Sequence, residues 1–187
     1  MKLDPVLLQG ADYHPSENSD ERPPGTDINL LVIHSISLPP GEFGGHWIDD
    51  LFLNRLDGEA HPYFKQIQDA KVSCHLLIRR DGALIQYVPL NNRAWHAGVS
   101  TYCGRQRCND FSIGIELEGC DEKPFTDAQY QTLCKSTKQI MSLYPSINKE
   151  RITSHAAIAP TRKTDPGPLF DWPRYFHLLK THQNTDD

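Results

Sequence analysis

A mixed α/β domain, with helices packed on a central sheet, is the fold class this sequence predicts, and three observations predict it. Apolar runs of strand and helix length follow one another in the order strand, helix, hairpin, strand, helix, strand, helix. The stretch VSCHLLIRRDGALIQYVPL (72–90) holds two strand-like runs about Asp81-Gly82, a dipeptide that favours a tight hairpin turn. A chain of 187 residues with 38% hydrophobic content is long enough for one core and too short for several. The expected organisation is an N-terminal arm over 1–27, one domain over 28–180, and a C-terminal tail over 181–187.

Each element has its own signal. The arm carries Pro5, Pro15, Pro23, Pro24 and Gly25 among many acids and reads as irregular. INLLVIHSI (28–36) is a short, β-branched apolar run and reads as a buried strand. WIDDLFLNRL (47–56) places Ile48, Leu51, Phe52 and Leu56 on one helical face. After the hairpin, residues 91–110 show no period, and long loops of this kind often carry function. FSIGIELEG (111–119) alternates, with Ile113, Ile115 and Leu117 facing one way and Gly114, Glu116 and Glu118 the other. Residues 126–144 form the best-marked helix: Thr126 and Gln129 make a capping-box pattern, Phe125 and Tyr130 suit a hydrophobic staple, and Pro145 stops it. RITSH (151–155) reads as a short strand and WPRYFHLLK (172–180) as a last helix.

Bulk properties narrow the function. A net charge of −5 argues against nucleic acid as the main partner, since phosphate binding wants a basic face. No window approaches the roughly 18–20 apolar residues of a membrane span, and the run Val6–Leu8 is too short for a signal-peptide core. The expectation is a cytoplasmic protein. Five cysteines, an odd number, argue against a disulfide framework, and CGRQRC lacks the second pair that a structural zinc site would need.

Chemistry concentrates in HAAIAPTRKTDPG (155–167), where three able side chains share a segment rich in proline and glycine. His34 and His155 each end a strand-like run, and Asp165 follows His155 by ten residues, far enough to double back. Two histidines, one carboxylate and an open position for water form a catalytic zinc pattern rather than a structural one. Pro166-Gly167-Pro168 stiffens the loop that would hold Asp165. Glu116, on the polar side of its strand, suits a general base, and Lys163 suits stabilisation of an oxyanion. Plain readings compete: a satisfied edge histidine, a solvated lysine, and an ordinary solvent-facing glutamate, which is the expectation for Glu118. The residues alone leave both open.

Taken together, VIHSISLPPGEFGG, HPYF, VSCHLLIRRDG, RAWHAGVS, CNDFSIGIELEG, FTDAQY and RKTDPGPLFDW, spread over about residues 28–176, resemble the zinc N-acetylmuramoyl-L-alanine amidase family. That family shares its fold with peptidoglycan-recognition proteins. The resemblance implies zinc held by His34, His155 and Asp165, with Glu116 and Lys163 as the catalytic pair. It puts Tyr63, Trp95, His96 and Arg107 in the substrate groove. Two groove positions depart from the family pattern. Ser35 stands where asparagine is usual and is shorter with fewer donors. Lys71 stands where arginine is common and cannot clamp a carboxylate through two parallel bonds. The implied activity is hydrolysis of the amide between 1,6-anhydro-N-acetylmuramic acid and L-alanine of the stem peptide, in muropeptide recycling. The implied partner is a small muropeptide, with no nucleic acid or membrane, acted on by a monomer. A non-catalytic binding module on the same fold would betray itself by a lost ligand, and all three are present. A wall-lytic amidase would need an export signal.

Overall fold

The computed structural model describes residues 4–181, so most of the expected tail (182–187) lies outside the described residues. The elements run β1 (Asp12–Tyr13), β2 (Ser19–Asp20), β3 (Leu30–Ile36), α1 (Trp47–Phe52), β4 (Leu76–Ile78), β5 (Leu84–Gln86), β6 (Arg93–Ala94), β7 (Thr101–Tyr102), β8 (Arg105–Gln106), β9 (Ser112–Glu118), α2 (Asp127–Leu143), β10 (Ile152–Ser154), α3 (His155–Ile158) and α4 (Trp172–Thr181). The principal sheet has the order β1-β5-β4-β9-β3-β10. All its pairings are parallel except β4 with β5. This is the mixed sheet with flanking helices that the sequence predicts.

Alternation along β3 and β9 sorts their residues between two faces. Leu31, Ile33, Ile113, Ile115 and Leu117 pack with Tyr130, Leu133, Cys134 and Ile140 of α2 and Tyr175 of α4. The opposite face carries Leu30 and Val32, covered by Ala97, Cys108, Phe111 and Ile158. Farther along the sheet on that side, Leu77 packs with Ile48, Leu51 and Phe52 of α1. The second face thus lies beneath loops and two short helices, α1 and α3, and there polar side chains can line a cleft.

Local signals hold at α2. Thr126 Oγ1 accepts from the Gln129 amide and the Gln129 side chain accepts from the Thr126 amide, which completes the capping box. Phe125 and Tyr130 are both buried and both meet the ring of Phe170. Arg79–Ala83 make the turn between β4 and β5, with Gly82 at φ +88°. A Cβ at Gly82 would also stand 3.1 Å from Ala128 of α2, so glycine answers both the turn and the packing.

Three boundaries differ from expectation. α1 stops at Phe52, because the left-handed Asn54 (φ 59°) turns the chain, although Leu56 stays buried. Residues 91–110 contain β6 and the β7–β8 ribbon, short pairings that carry no periodic signal. β10 ends at Ser154, whose hydroxyl accepts from the Ala157 amide, so His155 opens α3 instead of closing a strand. In the arm, β1 pairs with β5 and β2 with β6. Arg22 is partly buried there, and its guanidinium donates to the carbonyls of Leu90, Asn109, Asp110 and Ser112.

Candidate metal and active site

Parallel pairing brings the site together. In the register of β3 and β9, His34 stands beside Glu116, on the face away from α2 and α4. β10 lies on the other side of β3, with Ser154 opposite Ile33, so the next residue, His155, arrives level with His34. The loop after α3 then doubles back. The Ala156 amide donates to the Asp165 carbonyl at 3.0 Å, which anchors the aspartate beside the histidine that precedes it by ten residues. Gly167, at φ +89°, closes this loop where a Cβ would stand 2.3 Å from Asp121 Oδ1. Arg162 braces the loop from outside by donating to the carbonyls of Ala97 and Val99.

His34 Nδ1, His155 Nδ1 and Asp165 Oδ2 converge. The two nitrogens are 2.9 Å apart, and each is 3.1 Å from the carboxylate oxygen. Both imidazoles are buried. His155 Nε2 lies 3.2 Å from the Ala97 carbonyl, which can only accept, so the His155 proton sits on Nε2 and Nδ1 presents a lone pair. Burial would raise the Asp165 carboxyl, but its place beside His155 and His34 outweighs that and holds the group well below the usual carboxylate range. Burial also pushes His34 down to about 4, against the pull of Asp165, so its ring is neutral at pH 7. Two imidazole nitrogens and one carboxylate oxygen aimed at a common point fit a divalent cation of zinc's ligand preference.

Glu116 lies beside this trio. Its Oε1 is 3.9 Å from His34 Nδ1, and its buried Oε2 has no hydrogen-bond partner among the described residues. Burial pushes its carboxyl well up, the Asp165 charge adds to that, and Lys163 opposes it. Glu116, Lys163, Asp165 and His155 line one cavity of about 410 Å³, within the size range of small-molecule sites. Ser35, Tyr63, Trp95 and His96 line it too, with an apolar wall from Ile36, Leu51 and Phe52.

Other residues lie elsewhere. Lys71 is exposed between the lining residues Ala70 and Val72 and does not itself line the cavity. Arg107 is largely exposed and pairs with Asp110 at 3.2 Å, also outside the lining. Glu118 is not solvent-facing: only 2% of it is exposed, and it binds the amides of Gly44 and Arg80 and the Arg79 guanidinium. Arg162 and Ser112 went unnoticed in the sequence. For the ring of His96 a signal existed: a Cβ at Gly114 would stand 2.5 Å from it, and a glycine inside a strand often marks such a close approach.

Comparison with known proteins shows the family and the fold. A family model described as N-acetylmuramoyl-L-alanine amidase matches residues 24–168. The chain is 56% identical over 185 residues to the 1,6-anhydro-N-acetylmuramyl-L-alanine amidase AmpD of Escherichia coli, spanning 99% of this chain and 100% of that one. A crystal structure of a selenomethionine AmpD derivative superposes with a TM-score of 0.91 at 57% identity, covering 96% of this chain and 99% of the other. The E. coli amidase AmiD, solved with anhydro-N-acetylmuramic acid-L-Ala-D-γ-Glu-L-Lys, superposes with a TM-score of 0.61 at 32% identity, covering 84% of this chain and 60% of that one. The matched span contains His34, Glu116, His155, Lys163 and Asp165, and the chain belongs to the N-acetylmuramoyl-L-alanine amidase family.

Proposed function

We propose that this amidase is zinc-dependent and hydrolyses the amide between the lactyl group of 1,6-anhydro-N-acetylmuramic acid and L-alanine of the stem peptide, in muropeptide recycling. The observation that carries the reading is the convergence of three acceptors, His34 Nδ1, His155 Nδ1 and Asp165 Oδ2, beside an unpaired glutamate oxygen in one cavity. The full-length similarity to AmpD proteins supports the choice of substrate.

His34, His155 and Asp165 would hold the ion. When bound, it supplies Lewis acidity, polarising the scissile carbonyl and lowering the pKa of the attacking water toward about 7. The chain's own groups do the rest. Glu116 Oε2, unpaired and made more basic by burial, takes the proton of the attacking water and returns it to the departing alanine nitrogen as the C–N bond breaks. The Lys163 ammonium offers hydrogen bonds to the oxygen that gains charge when the carbonyl becomes tetrahedral. Trp95 and Tyr63 present broad faces that orient sugar and peptide. The apolar wall opposite limits water at the reacting carbon.

The test pairs elemental analysis of purified protein with mass spectrometry of a soluble anhydro-muropeptide and of intact sacculi after digestion. One zinc per chain and faster release of the peptide from the soluble substrate are expected. Equal or faster action on sacculi would replace the recycling reading with a lytic one.

A further inference from the structure

A chain of hydrogen bonds runs from His34 through His96, at the border of the cavity, into the core. His34 Nε2 is 2.8 Å from His96 Nδ1, His96 Nε2 is 3.1 Å from Ser112 Oγ, and Ser112 Oγ is 2.6 Å from the Cys108 carbonyl. Ser112 and Cys108 are fully buried, so at that end water cannot substitute for a missing partner. The direction of the chain follows from its far end. A carbonyl only accepts, so the Ser112 hydroxyl donates to Cys108, and its oxygen is left to accept. His96 therefore carries its proton on Nε2 and donates it to Ser112, leaving Nδ1 bare. Facing a bare nitrogen, His34 Nε2 must donate. Its proton is thereby held at the inner nitrogen, and its Nδ1 lone pair faces Asp165 and His155.

We infer that Ser112 and His96 are positioning residues that fix the tautomer and ring orientation of His34, so that Nδ1 is bare before any metal arrives. This rests on the proposed metal site. The strand provides for it. Gly114 lies two residues beyond Ser112 on the same face, and a Cβ there would stand 2.5–2.8 Å from three atoms of the His96 ring. The Asn109 side-chain oxygen accepts from the His96 and Ala97 amides at 3.2 and 2.7 Å, fixing the backbone that presents the ring. Reversing the chain at any link would put the His34 proton on Nδ1, where it would occupy the electron pair a cation needs. An outer partner that orients a ligating histidine typically contributes 10- to 100-fold in metal affinity. Here that partner is a neutral imidazole, whose own direction a serine must set.

The decisive measurement needs no substitution. Long-range ¹H–¹⁵N correlation of ¹⁵N-labelled, metal-free protein reports which ring nitrogen carries each proton. The expected result is Nε2 protonated in both His34 and His96. A proton on His96 Nδ1, or on His34 Nδ1 with Nε2 bare, would overturn the inference. Chelator competition for zinc then tests the contribution of each link. Ser112→Ala and His96→Phe should each weaken binding about 10- to 100-fold. His96→Gln should recover part of that loss, since its amide can accept from His34 and donate to Ser112. Wild-type affinity in Ser112→Ala and His96→Phe, or equal losses in the Gln and Phe variants with melting temperatures unchanged, would also overturn it. Failure of the wild-type protein to bind zinc would instead remove the metal reading, and the ring-nitrogen assignment would stand or fall on its own spectrum.

Discussion

Glu116 and Glu118 lie two residues apart on one face of β9, yet opposite consequences follow from removing them. Glu118 is 2% exposed, and its oxygens accept from the Gly44 amide at 2.6 Å, the Arg80 amide at 3.1 Å and the Arg79 guanidinium at 3.3 Å. Glu118→Ala strands these donors and leaves a buried arginine with one fewer counter-charge. Breaking such a pair from one side costs about 3–5 kcal/mol. For a domain of this size each kcal/mol moves the midpoint by about 2–4 °C, so Tm should fall by roughly 6–20 °C. Glu116 makes no such contacts: its Oε2 is buried and unpartnered, and its carboxyl is pushed up by burial. Glu116→Ala therefore removes an uncompensated polar group and should leave Tm level or higher, with zinc retained, while kcat falls about 10²- to 10⁴-fold through lost proton transfer. Thermal unfolding, metal analysis and turnover of an anhydro-muropeptide, measured side by side, separate the two. A Glu118→Ala protein as stable as wild type would refute the account of β9's covered end. Loss of zinc from Glu116→Ala, or equal loss of turnover in both variants below their melting temperatures, would refute the general-base assignment.

Other outcomes are open to measurement. Asp165→Ala should release the metal, because it removes the only anionic member of the ligand trio; full zinc occupancy by elemental analysis would contradict the ligand set. Ser35→Asn should tighten substrate binding by about 0.5–1.5 kcal/mol if it gains one neutral hydrogen bond in the cavity, read as a lower KM; an unchanged KM with the fold intact would show that another group serves that end of the substrate. Asp49 accepts from Tyr87, His14 and Arg79, and despite burial, which alone would raise it, these partners hold its carboxyl below its ordinary value. A depressed folded-state pKa gives stability that is present above 3.8 and lost as pH falls through the lower folded value. The Tm gap between wild type and Asp49→Asn should thus be widest at neutral pH and narrow below about pH 4. A gap that stays constant from pH 7 to pH 3 would show that the charge of Asp49 contributes nothing.

Much of this site was legible in the chain because the side-chain period of a strand is fixed. Once FSIGIELEG is read as a strand with Ile113 and Ile115 inward, Glu116 must emerge on the other side. The same holds for His34 at the end of an apolar run. Asp165 was legible from the prolines and glycine around it. The fate of Glu118 was not, because alternation assigns a face but not what covers it. The cover comes from Gly44 and the Arg79–Arg80 turn, about 74 and 38 residues away along the chain. The Ser112–His96 link was hidden for a similar reason. A serine in an apolar strand looks incidental until the aperiodic segment 91–110 is seen to lay a histidine ring across Gly114. Lys71 and Arg107 rest on the family resemblance alone, and neither lines the cavity.

β1 forms the outer border of the principal sheet, alongside β5. Its two residues are few, but they sit where a sheet is most vulnerable to recruitment by a neighbouring molecule. Cutting the chain at residue 27 would bare the backbone of β5 as a template for another copy. It would also leave the carbonyls of Leu90, Asn109, Asp110 and Ser112 without the Arg22 guanidinium. None of the three proposed metal ligands would be lost. A shortened protein beginning at residue 28 should therefore fail through clumping rather than through chemistry, and light scattering would register the damage before metal content did.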